Sequence, residues 1–219
     1  MKLLRNKDGN FTIEASLVFP VIFFTILLLL FFCMYLYQNA VLGHTAFAAA
    51  ERSAYVWDNS YREPRTGAYE EDQHDSLYWR IHDDGMLQLL FGSFSGNSPA
   101  VLELELPNSA ESSGSLPLKK LGNIGREIPA GMEGHMKYDN RLLFRKVSVF
   151  LHRNISLAPL ETIIGDARQA GHSASYIVEP VEWIRTVELV RYYGARFKGT
   201  GKEHVSQADA GKALKLYAK

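Results

Sequence analysis

From Ala15 to Ala50 the chain carries no Asp, Glu, Lys or Arg, and nearly all of its charge lies beyond. The first part of that run, ASLVFPVIFFTILLLLFFCMYLY over residues 15–37, offers no charged face at any helical or strand period. A bilayer core needs about 20 such residues in a helix, so the pattern predicts a transmembrane segment over 15–37. A buried helix of a soluble protein rarely stays apolar on every side for so long. The uncharged stretch continues as QNAVLGHTAFAAA, with Ala40, Gly43, Ala46 and Ala50 at helical spacing. Small residues so placed suit close helix packing. One long helix is expected over 10–57, ended by Asp58-Asn59-Ser60 and Pro64. Its uncharged part alone would reach about 54 Å at 1.5 Å per residue, well past the bilayer core.

Beyond the helix the pattern changes. Residues 60–76 are polar and read as a loop or frayed linker. Asp75 to Phe91 has apolar positions at Leu77, Tyr78, Ile81, Leu87, Leu90 and Phe91, a helix interrupted at Gly85. Val101 to Leu106 alternates with period two, as a half-buried strand does, which puts Glu103 and Glu105 on the open side. The flanking 92–100 and 107–117 are rich in Ser, Gly, Asn and Pro and read as loops. Met136–Tyr138 and Leu142–His152 predict two strands about a turn at Asp139-Asn140, with a bulge where the apolar phase slips between Phe144 and Val147. Ser173–Val178 predicts another strand, closed by Glu179-Pro180. Val181–Phe197 reads as an amphipathic helix and Ser206–Ala218 as a short final one. The expected class is α+β: a long N-terminal transmembrane helix, then a small antiparallel sheet with flanking helices in a domain spanning 58–219.

Charge sharpens this division. Lys and Arg balance Asp and Glu, 24 against 24, so no global field argues for a nucleic-acid partner. The one cysteine, Cys33, lies inside the apolar run, where a thiolate is disfavoured and a small packing or lipid-facing role is expected. The outer domain must hold together without a disulfide. Ahead of the helix, residues 1–9 (MKLLRNKDG) carry Lys2, Arg5 and Lys7 against Asp8. A basic flank stays cytoplasmic, which sends 58–219 to the extracytoplasmic side of the cell membrane. A cleaved secretory signal is the competing reading, but its apolar region would span about 7–15 residues.

The leader ends in Gly9, Glu14 stands five residues later, and the apolar helix follows at once with Pro20 inside it, where a missing backbone donor can bend it. This arrangement resembles the class III signal of type IV prepilins. More narrowly, NFTIEASLVFP over 10–20 is similar to the start of TadE-like pseudopilins, minor components of the bacterial tight-adherence pilus machinery. VEPVEWIR over 178–185 is also similar to a stretch of such proteins from Gram-positive bacteria. The resemblance implies cleavage by a prepilin peptidase between Gly9 and Asn10, and a pilin-like helix that packs against other pilin-like subunits and an assembly platform. It implies that Glu14 sets subunit register. The physics agrees: a carboxylate at the edge of hydrocarbon is costly and wants a cation, which the new α-amino group supplies.

Catalytic chemistry finds little support. The histidines, His44, His74, His82, His135, His152, His172 and His204, show no HxH or HExxH spacing. His82-Asp83-Asp84 is expected to be solvated surface. GARFKGTG over 194–201 lacks the order of a phosphate loop, Ser173 and Ser175 lack a nucleophile elbow, and Asn154-Ile155-Ser156 matters only in a secreted eukaryotic protein. The expectation is a non-enzymatic chain without cofactor or metal. A structural and assembly role is the first reading and an anchored extracytoplasmic sensor or binding domain the second.

Overall fold

The computed structural model describes residues 10–76, 78–86, 100–104, 114–141, 144–153 and 169–198, together with Asp209. The leader, Gly9, Leu77, residues 87–91, Glu105, Leu106, residues 154–156 and, but for Asp209, the helix expected at 206–218 lie outside them. The elements run α1 (Asn10–Tyr55), α2 (Trp79–Asp83), β1 (Ala100–Leu104), α3 (Leu116–Gly125), β2 (Glu133–Arg141), β3 (Phe144–Arg153), β4 (Gln169–Tyr176) and α4 (Pro180–Lys198). Two compact units emerge, one of Met1–Val41 with Asn154–Gln169 and one of Leu42–Arg153 with Ala170–Lys219.

In the first unit α1 is exposed or half-buried at every position from Glu14 to Val41. Leu17, Phe19, Phe24 and Leu29 each leave more than half of their surface open. None of the most apolar 18-residue window is buried, and this is the one described helix long and apolar enough to cross a membrane. The helical span runs through Pro20 unbroken. Thr25 Oγ1 donates to Val21 O at 2.7 Å, which spares the hydroxyl from facing hydrocarbon unpaired.

In the second unit α1 changes character. Leu42, Ala46, Ala49, Ala50 and Ser53 form one buried stripe, with Ala46 and Ala50 fully covered. Ser53 Oγ donates to Ala49 O at 2.7 Å, so the stripe stays satisfied. The small-residue line expected over Ala40, Gly43, Ala46 and Ala50 is therefore rotated. Ala40 is exposed, a Cβ at Gly43 would meet open space, and Ala46 and Ala50 serve the chain's own core.

The sheet has the order β1-β2-β3-β4 and is antiparallel, with Leu102 opposite Met136 and Tyr138 opposite Val147. One face, built from Met136, Tyr138, Val147, Val149 and Leu151, meets α1 and α3 in a single core with Trp57, Trp79, Leu121 and Ile124. Trp57 stacks on Tyr138 with centroids 4.4 Å apart. Two glycines set the fit. At Gly171 a Cβ would lie 2.6 Å from the Leu42 carbonyl, so β4 accepts the α1 backbone only because that position has no side chain. At Gly134 φ is +150°, and a Cβ would lie 2.0 Å from Phe150 O.

Several expectations need correction. Asp139 and Asn140 do not turn. They sit within β2 opposite Lys146 and Arg145, and the ladder runs without interruption to Arg141 opposite Phe144. No bulge follows either. The apolar phase slips because Arg145 occupies a core-facing position while Phe144 points out, 71 % exposed. Residues 60–76 are no frayed linker, since Asn59 and Ser60 are buried and tied across the loop to Gln73 and Asp75. α3 falls where no element was expected, its first two residues lying in the stretch 107–117 read as a loop. Its Pro117 stands in the first turn, where proline is tolerated, and its glycines let it lie close to the sheet: a Cβ at Gly125 would meet Leu104 at 3.1 Å. Within 75–91 the described helix is only α2, ended before Gly85 at φ +62°. The remaining elements agree within a few residues, with Pro180 opening α4.

Candidate functional site

The residues singled out for processing and assembly belong to the first unit. Asn10 opens α1 and Gly9 lies outside the described residues. Glu14 is exposed one turn further on, at the margin of the apolar run. Among the described residues none of the ion pairs involves Glu14. Pro20 and Cys33 are exposed on the same helix, a position in keeping with a lipid-facing thiol. The arrangement is a hydrocarbon-ready helix with one acid near its start.

The second unit holds two buried ionic clusters that sequence reasoning missed. In the first, Arg80 Nε donates to Asp84 Oδ2 at 3.0 Å, with both side chains at most 3 % exposed. Tyr138 donates its hydroxyl to Asp84 Oδ2 at 3.1 Å, and Asn140 Nδ2 donates to Asp84 O at 3.0 Å. Arg80 Nη1 reaches Thr186 Oγ1 of α4 at 3.1 Å. Asp84 is thus not the solvated surface expected of His82-Asp83-Asp84. Burial raises its carboxyl above the usual carboxylate range, although Arg80 beside it pulls the other way. Tyr138 is pushed well above its ordinary value, by burial first and then by the Asp84 charge. Arg145 Nη2 pairs with Glu179 Oε2 at 2.9 Å. Burial is the strongest single influence on Arg145 and works against its charge, but Glu179, Tyr138 and Asp84 together outweigh it and its pKa rises.

The second cluster centres on Lys120 of α3, 3 % exposed. Its Nζ lies 2.8 Å from Asp75 Oδ2, bonds the Trp57 carbonyl, and sits 4.1 Å from the Trp79 ring centre. Asp75 in turn accepts from Ser60 N at 2.8 Å and Ser60 Oγ at 2.5 Å. Burial lowers the Lys120 pKa, opposed by Asp75. A depressed lysine can serve as a nucleophile. Here each ammonium donor has a partner in the carboxylate, the carbonyl or the indole face, and the geometry makes the residue a tie between α3, α2 and the end of α1. Among the described residues no group of three or more His, Cys, Asp and Glu is placed to hold a metal ion.

A signal for these clusters was present. Pro117, Lys120, Leu121, Gly122 and Ile124 are the buried positions of α3, so Lys120 stands on a helical core stripe. Arg145 stands where strand alternation demands an apolar residue. Both are cations at core positions, and such cations must be paired.

Among the described residues the fold and this geometry are consistent with a single-pass type of chain: one membrane-apt helix with an acid at its margin, and an α+β unit. Comparison with protein families gives the particular likeness, since residues 9–51 match the family described as TadE-like protein. That match covers the leader boundary, Glu14, Pro20 and most of α1, and it does not extend to Val178–Arg185. No curated protein and no solved structure matches the chain.

Proposed function

We propose that the chain is a structural and assembly component of a pilus-like system of the tight-adherence kind. It enters the cell membrane with residues 1–9 on the cytoplasmic side and the α+β unit outside. A prepilin peptidase cuts between Gly9 and Asn10, and α1 then packs against other pilin-like subunits. Glu14 sets the register of that packing by pairing with a freed α-amino group, a use to which isolated polar groups in apolar interfaces are well suited. The role is non-enzymatic and needs no cofactor. The observation that carries the reading is the coincidence on one helix of the family match over 9–51 and, from Glu14 to Val41, an apolar surface with no buried position and an acid at its edge.

Intact mass spectrometry of the chain from cells that hold the peptidase tests it. An N-terminus at Asn10 is expected, and a chain still starting at Met1 overturns the processing step. Gly9→Leu should block cleavage, because glycine leaves the scissile backbone open to a protease. Glu14→Ala should insert normally but fail to co-assemble, and normal co-assembly would remove the register role. The second reading, an anchored sensor or binding domain that keeps its leader, draws on the open cavity beside α4; an intact Met1 terminus favours it.

A further inference from the structure

α4 is docked the wrong way round for an amphipathic helix. Thr186 is 1 % exposed and Glu182 is drawn toward Arg80, yet Val181, Trp183 and Ile184 leave 67 %, 52 % and 59 % of their surfaces open. Trp183 and Ile184 join Phe144 and Tyr176, also mostly exposed, around a cavity of about 780 Å³. Apolar surface gathered in this way marks a site of interaction, and the volume is that of a ligand pocket.

The cavity is also lined by Arg145 and Glu179. Their ion pair uses only Nη2 and Oε2. Arg145 Nη1 and Glu179 Oε1 are buried and have no hydrogen-bond partner among the described residues. One donor and one acceptor thus stand side by side on a single ion pair, each costly to leave unfilled. That combination selects its ligand. An acyl chain offers neither an acceptor nor a donor. A phosphate or carboxylate would satisfy Arg145 but meet Glu179, with Glu182 and Asp84 nearby to balance Arg80. An extended peptide backbone is neutral and turns the N–H and C=O of a single residue to the same side: the carbonyl accepts from Nη1 and the N–H donates to Oε1. Flanking apolar side chains would lie against Trp183, Ile184, Phe144 and Tyr176.

We propose that this cavity is a docking site for an apolar, extended segment of another polypeptide, held at Arg145 and Glu179 by the N–H and C=O of one of its residues. The site belongs to the unit beyond Leu42, so it stands whether or not the leader is cut.

The test uses the full chain in lipid nanodiscs with fluorotryptophan in place of its three tryptophans. The Trp183 resonance is assigned by Trp183→Phe. The probe is a pool of blocked tetrapeptides built from Leu, Ile, Val and Phe, set against a matched pool whose central amide is an ester. The amide pool should move the Trp183 resonance and leave those of the buried Trp57 and Trp79 in place. The ester pool, which gives Glu179 no donor, should need about tenfold higher concentration or more. Ile184→Asp, at an exposed position that leaves the fold intact, should abolish the response. Equal response to the two pools, no response to either, or a Trp183 shift that follows acyl-chain composition without peptide would each overturn the proposal.

Discussion

α1 is one helix with two surroundings. From Glu14 to Val41 its Phe, Leu and Ile side chains are exposed or half-buried on every side; from Leu42 to Ser53 a line of Ala, Leu and Ser is sealed against a sheet. From Ala15 to Ala50 neither stretch carries a charge, so polarity does not separate them. Side-chain size does. Large apolar groups enlarge the contact with lipid, whereas alanine lets a helix backbone come within reach of strands, as at Leu42 and Gly171. The likeness to TadE-like protein runs across both stretches to residue 51, so family resemblance does not mark the change either.

The sharpest way to break the comparison is to place the same charge in each half. Ala46→Asp buries a carboxylate with no partner and should cost the outer unit about 4 kcal/mol, read as a loss of urea resistance, while membrane integration stays intact. Leu29→Asp should do the reverse. It weakens integration by about 3 kcal/mol, read as the membrane-bound fraction, and leaves the outer unit's unfolding unchanged. Should both variants fail in the same assay, the two halves are not distinct.

Gly171→Val tests how closely β4 meets α1. The new side chain would strike the backbone of Leu42 and Gly43, which yields poorly, so a loss of about 3 kcal/mol in the outer unit's unfolding is expected. Gly43→Val, with open space about it, should change stability by less than about 0.5 kcal/mol and in the favourable direction, since valine is a better helix former than glycine.

The two halves should also answer differently to pH. In the folded unit Lys120 gives up its proton more readily than in the unfolded chain, where its pKa is the usual 10.5. Between the lowered value and 10.5 the unfolded chain therefore holds more protons, and stability rises with pH through that window. Urea midpoints taken as the pH approaches 10.5 from below should climb relative to a Lys120→Met variant, whose own profile lacks this rise. Tyr138 acts in the opposite sense only above pH 10, where the unfolded phenol ionises and the folded one does not. Membrane integration should not follow the Lys120 profile.

The smallest effect belongs to shape. Ile26→Leu in the lipid-facing half should change stability by less than about 0.5 kcal/mol, because lipid adapts to the new outline. Val149→Ile, at a position with no exposed surface, should cost about 1–3 kcal/mol by overpacking. Thermal unfolding of the two variants side by side measures the contrast.

Much of this was legible before any coordinates. A charge-free run of such length admits few readings, and α1 ends within two residues of its expected stop. The strands near 101–106, 136–152 and 173–178 followed from alternation, and α4 from its period. What failed did so for identifiable reasons. α3 was hidden because Pro117, Gly122 and Gly125 are helix breakers by propensity, and only contact with the sheet makes them useful. The turn at Asp139-Asn140 was misplaced because both residues favour turns locally, while pairing with Lys146 and Arg145 holds them extended. The charged clusters were missed because their members lie as much as 106 residues apart in sequence, as Arg80 and Thr186 do. Local patterns say that a lysine or arginine stands at a core position. They do not say which acid meets it.

The loop that joins Asn59 to Asp75 has a consequence for how the chain would survive a protease. Its tip is open, with Glu70, Glu71 and Asp72 exposed, while its two ends are held to each other. Asn59 Nδ2 reaches Gln73 O at 2.8 Å, Ser60 grips both oxygens of Asp75, and Asp75 is locked in turn by Lys120. A single cut at the tip would leave two fragments that stay joined without a covalent link between them. They would part on a denaturing gel and travel together on a native one.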